Sequence, residues 1–98
     1  MRPSEKLREK RAEVLEIFSR YPLISNPRVF GSVARGEDRE DSDLDLLVDV
    51  SRGTTIFHIC DLQEEISALL DLKVDILTST ATMNDRLRNR VFAEARTL

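Results

Sequence analysis

The run Leu44 to Val50, LDLLVDV, constrains the chain more than any other stretch, because it alternates aliphatic residues with aspartates. Alternation at period two marks a strand with one face in a core. Leu44, Leu46, Val48 and Val50 fall on that core face, while Asp43, Asp45, Leu47 and Asp49 point the other way. Lys73 to Leu77, KVDIL, has the same parity, with Val74 and Ile76 toward the core and Asp75 opposite. At a rise of about 3.3 Å per residue, Asp43 and Asp45 have Cα atoms about 6.5 Å apart. Two anions held so close are either both solvated, or become useful as ligands for divalent cations, which sit about 3.5–4 Å apart in two-metal sites. Asp75 joins them if the two strands are neighbours. Oxygen-only donors favour magnesium or manganese.

The remaining pattern supplies helices. Ser4 and Glu5 mark a helix start, and Leu7, Val14, Leu15 and Phe18 recur at helical spacing until YPLISNP breaks it. Pro27 to Gly31 predicts a short strand ended by glycine. Thr54 or Thr55 can cap a long helix whose buried face is Ile56, Ile59, Cys60, Ile66, Leu69 and Leu70, ending near Asp71. Cys60 is expected in the core and His58 at the surface. Thr80 can cap a last helix with Met83, Leu87, Val91, Phe92 and Ala95 as its buried stripe, and Arg86, Arg88 and Arg90 form a solvated face. The order αβ(α)βαβα predicts an α/β fold, one small sheet covered by helices.

Composition narrows the class. A chain of 98 residues, 41% hydrophobic and 34% charged, fits one compact soluble domain over residues 1–98. A net charge of -3 gives no sign of the sequence-independent phosphate grip of a nucleic-acid binder. No segment could span a bilayer, and MRPSEKLREK lacks the apolar stretch of a secretory signal. The sole cysteine, Cys60, cannot form an intrachain disulfide, so the expected location is the cytoplasm.

Gly31 and Ser32 follow a strand and open a helical turn, where N–H groups and a hydroxyl can hold phosphate oxygens. GSVARG matches the first six positions of a P-loop, but Glu37 and Asp38 replace its Lys and Ser or Thr, which excludes that motif. DSDLD imitates the start of an EF-hand loop, yet Leu46 and Arg52 stand where that loop needs glycine and glutamate. Arg35 fits a surface ion pair as well as a phosphate contact.

Gly-Ser, ten residues, Asp-x-Asp, and one further strand aspartate about thirty residues on resembles the nucleotidyltransferases of the DNA polymerase β superfamily. The form GSVARGEDREDSDLDLLVD is similar to the minimal nucleotidyltransferases often paired with a HEPN-domain partner. The resemblance implies a small mixed β-sheet packed with helices, and magnesium, with manganese as a substitute, held by Asp43, Asp45 and Asp75. It assigns catalysis to these three carboxylates and binding of a nucleoside triphosphate such as ATP to Gly31, Ser32 and Arg35. TSTATMNDRLRNR lacks the proline that the family often carries after the third strand. Three functions follow: an antitoxin that transfers AMP to a hydroxyl, tyrosine by family expectation, of a HEPN toxin; an antitoxin acting by contact alone; and a small-molecule nucleotidyltransferase. The last is disfavoured, because such relatives carry an additional domain that helps hold the acceptor.

Overall fold

The structure, a computed structural model, describes all residues from Met1 to Leu98. Its elements are α1 (Pro3–Glu9), α2 (Arg11–Ser19), β1 (Ile24–Phe30), α3 (Gly31–Arg35), β2 (Leu44–Val50), α4 (Ile56–Leu70), β3 (Val74–Thr78), α5 (Asp85–Glu94) and β4 (Arg96–Thr97). The four strands form one mixed sheet in the order β3-β2-β1-β4. β2 runs parallel to β3, its connection being α4, whereas β1 is antiparallel to both β2 and β4. This is the α/β architecture expected. No helix is long and apolar enough to cross a membrane.

The alternation of β2 is realised as read: Leu44, Leu46 and Val48 are fully buried in the main core with Val74 of β3. Helices α1, α2 and α4 close that core with Leu7, Val14, Ile17, Phe18, Leu62, Ile66 and Leu70. Burying a side chain of this size stabilises the fold by about 1.5–3 kcal/mol before entropy is counted. Thr55 caps α4 by accepting from the His58 N–H at 3.4 Å, and His58 Nδ1 accepts from the Thr55 N–H at 3.1 Å. Asp71 ends the helix in a left-handed conformation, φ 52°.

Several boundaries differ from the sequence expectation. The first helix is two, bent at Lys10, and starts at Pro3 rather than Ser4. β1 begins three residues before Pro27, because Asn26, at φ 52°, and Pro27 lie where the β1–β2 register shifts. A bulge needs no ladder bond there, so proline does not end the strand. Cys60 and Ile56 are exposed, not core, since the buried stripe of α4 runs through Leu62, Ile66 and Leu70. The last helix starts at Asn84, which caps the Leu87 N–H at 2.8 Å, rather than at Thr80. Only Val91 of its expected stripe is buried, and it lies outside the main core, as does the fully buried Leu47. α5 therefore covers the carboxylate face of the sheet, the Phe92 ring lying 5.8 Å from the Arg28 guanidinium, which itself pairs with Asp49.

Candidate active site

Three strands line up the expected residues. Phe30, the last residue of β1, is the register partner of Asp45, and Asp45 is in turn the partner of Asp75. Neighbouring strands lie about 4.8 Å apart, so the Gly31 turn, Asp45 and Asp75 form one row across the sheet. Asp43 stands one residue before β2 begins.

Gly31 is required twice over. Its φ of +74° is a conformation that other residues adopt only under strain. A Cβ built there would also run into the carboxylate of Asp45. The glycine thus lets backbone and carboxylate lie against each other. The turn of α3 follows at once and closes on Gly36, φ 73°, in a left-handed cap. Phe30 is the N-cap of α3, so Ser32 is not engaged as the helix cap.

Asp45 carries the electrostatic signature of the site. Burial, and then the like charges of Asp75 and Asp43, push its carboxyl up to about 6, against weaker pulls from Arg35 and Lys73. Asp43 is more open, its side chain 40% exposed, and lies 3.6 Å from Lys73 Nζ. The three carboxylates do not converge as a ready-made metal cage, and no other group of acidic, histidine or cysteine side chains does so. A crowded, oxygen-only set in which one member resists ionisation fits a hard divalent cation, whose charge offsets the repulsion. Asp43, Asp45 and Asp75 are the residues that would hold it.

Arg35 makes the ion pairs that its sequence context allowed, with Glu37 at 3.2 Å and Glu94 at 3.0 Å. It nevertheless lines a pocket of about 300 Å³ with Phe30, Gly31, Ser32 and Asp45 on one side and Leu87, Arg90, Val91 and Glu94 of α5 on the other. Gly31, Ser32, Arg35 and Asp45 are thus brought to one cavity, while Asp43 and Asp75 flank Asp45 outside it. The α5 wall was missed in the sequence, where Leu87 and Val91 read as core and Arg90 as a solvated face. The only local signal was the Arg90–Glu94 spacing of four, which places both on one helix face. A second cavity of similar size, lined by Tyr21, Pro22, Leu23 and His58, shares no residue with the carboxylate row.

Residues 12–98 match the Polymerase beta, Nucleotidyltransferase family. A Methanocaldococcus jannaschii protein named as a candidate protein adenylyltransferase (MJ0126) is 30% identical over 87 residues, covering 89% of this chain and 85% of that protein. The protein adenylyltransferase MntA of Thermococcus cleftensis is 43% identical over 53 residues, 54% of each chain. Among solved structures, a candidate minimal nucleotidyltransferase superposes with a TM-score of 0.82 at 44% identity, over 97% of this chain and 95% of that one. The same fold recurs, at 19% identity and a TM-score of 0.72, in a toxin–antitoxin structure containing AMP-PNP, over 97% of this chain and 71% of that one. With the carboxylate row set against the Gly31 turn, and this match over nearly the whole length, the chain belongs to the polymerase β nucleotidyltransferase family.

Proposed function

We propose that the chain transfers AMP from ATP to a hydroxyl of a partner protein, and that the partner is a HEPN-type toxin silenced by the modification, on a tyrosine. The observation that carries the transfer reading is the row Gly31–Asp45–Asp75, with the Asp45 carboxyl pushed up by burial and then by the like charges of Asp75 and Asp43. AMP as the group and a protein as acceptor are supported by the likeness to proteins named protein adenylyltransferases. The toxin partner is supported by the GSVARGEDREDSDLDLLVD resemblance, and is in keeping with a fold shared with a toxin–antitoxin pair, MntA–HpeT.

In this reading Gly31, Ser32 and Arg35 hold the triphosphate with its α-phosphorus facing Asp75 and Asp43. Bound magnesium, or manganese, would supply charge stabilisation to the attacking and leaving oxygens. The acceptor hydroxyl attacks in line, Asp75 helps draw off its proton, and pyrophosphate leaves. Asp75 lies on the edge strand β3, so an acceptor on another protein can approach without passing through the core.

The test is incubation of the chain with ATP, magnesium and a candidate HEPN-type toxin, followed by intact mass and peptide mapping of the toxin. One added AMP on a hydroxyl, absent with Asp75→Asn, is expected. A toxin fully inhibited yet unmodified would defeat the transfer reading in favour of neutralisation by contact.

A further inference from the structure

We propose that Arg90, on α5, is a phosphate-binding residue of this pocket and that its ligand is the polyphosphate of a nucleoside triphosphate. The inference rests on the nucleotide reading of the same site and adds to it a second wall. Arg90 lines the cavity that also holds Ser32, Arg35 and Asp45. Its side chain is 65% exposed, and its Nε donates to Glu94 Oε1 at 3.2 Å. Glu94, only 19% exposed, also accepts from Arg35 Nη1 at 3.0 and 3.1 Å. One carboxylate thus orients two guanidinium groups from two different helices along one side of the pocket.

That pairing does not exhaust the two arginines. A guanidinium has five N–H donors in a planar fork, and Arg90 spends only its Nε on Glu94. Arg35 also pairs with Glu37, but Glu37 is 66% exposed and does not line the pocket, so the wall that faces the cavity carries Arg35 and Arg90 against Glu94 alone, with Asp45 on the facing side. With a divalent cation that Asp43, Asp45 and Asp75 would hold, a triphosphate would meet positive charge on both sides, and the forked N–H groups of arginine match phosphate oxygens in pairs. The other arginines of α5 are placed differently. Arg88 lies over the Phe92 ring at 4.9 Å and donates to the Ser79 carbonyl at 3.3 Å, and Arg86 is not part of the pocket.

The experiment is calorimetric titration of the full chain with magnesium–ATP, AMP and adenosine, comparing wild type with Arg90→Ala, Arg90→Lys and Arg86→Ala. Loss of one charge-assisted phosphate contact predicts that Arg90→Ala weakens ATP binding about tenfold, leaves adenosine within about twofold, and is partly rescued by lysine. Arg86→Ala should change nothing. Thermal melting guards against misfolding, with Arg90→Gln as the replacement if the alanine variant melts early. Unchanged ATP affinity in Arg90→Ala, with wild type binding ATP in a manner that Asp45→Asn abolishes, would overturn the role of Arg90 and leave the nucleotide site standing. Equal losses for ATP and adenosine would make Arg90 a structural wall and also overturn it. A wild-type chain that binds no triphosphate would overturn both.

Discussion

Asp45 and Gly31 are where physical strain and chemistry coincide. Asp45 has an ordinary carboxyl pKa of 3.8 when unfolded and about 6 in place, through burial and the charges of Asp75 and Asp43. Below the lower value it is protonated in both states and costs nothing. Between about pH 4 and 6 the unfolded chain ionises freely while the folded chain resists, so metal-free stability falls across that window and levels off above it. The expected result is a melting temperature for Asp45→Asn that matches wild type near pH 4 and exceeds it increasingly up to pH 6. Added magnesium should close the gap for wild type alone, and the double variant Asp43→Asn with Asp45→Asn should lose magnesium-dependent nucleotide transfer while staying folded. Parallel melting curves at all pH values would show that neither burial nor the neighbouring charges raise the Asp45 carboxyl. Gly31→Ala adds strain to collision: a positive-φ alanine costs about 1–3 kcal/mol, before its Cβ meets the Asp45 carboxylate. Urea denaturation should register that loss, and combining it with Asp45→Ala should recover the steric part. At this scale the sequence was legible where alternation and register fix a residue's place, as for Gly31, Asp45 and Asp75, which fall in one row. It misled at Cys60, whose apolar character said core, because a helix face is chosen by what packs on it and α4 turns its Leu62 side inward.

At the level of elements, strands set by alternation were readable almost to the residue, and helix ends were not. β2 spans the same seven residues that the alternation marks. The N-terminal helix is a contrast. Its N-cap is Arg2, which lacks a short side-chain acceptor, and the Ser4 N–H is instead taken at 2.9 Å by Asp38, thirty-four residues along the chain. Such a long-range cap has no local signature. Asp38 is the one buried charged residue; burial pushes its carboxyl up, but the Ser4 N–H, its own backbone and Arg2 together hold it below the usual range. Asp38→Ala would leave the Ser4 donor unpaired and free α1 from the loop that leads into β2. A loss of about 1–3 kcal/mol is expected from chemical denaturation, with amide exchange rising first in residues 3–9. Because the folded value is depressed, this contribution is present at neutral pH and fades as pH falls through the carboxylate range. Uniform exchange along the chain in Asp38→Ala would argue against a local anchoring role. The bend at Lys10 and the short β4 were likewise invisible, since neither proline nor glycine marks the first and two residues are too few to alternate.

Across the whole molecule, most buried apolar residues lie on one side of the sheet, and the other side, where Leu47 and Val91 are buried, keeps a shallow site between α3 and α5. A site built this way can grip a triphosphate but has little means to exclude water or orient a free acceptor. The isolated chain is therefore expected to bind magnesium–ATP and yet release pyrophosphate slowly, with turnover rising at least about tenfold when the proposed partner toxin is added. Coupled pyrophosphate detection with and without the toxin measures this directly; rapid turnover by the chain alone would mean that the acceptor site is internal. α5, whose stripe the sequence assigned to the core, instead stands over the carboxylate face.

The β2–β3 ladder pairs Leu44 with Val74, Asp45 with Asp75 and Leu46 with Ile76. If β3 slipped by a single residue, Asp75 would turn into the core and Val74 and Ile76 out toward water, so the error that would scatter the carboxylates is the same error that would forbid collapse. A chain that has collapsed on this core therefore has Asp45 and Asp75 in line. For mutational surveys, this means that substitutions at Val74 or Ile76 should never yield a stable but misaligned enzyme; they should remove active molecules from the population one whole molecule at a time.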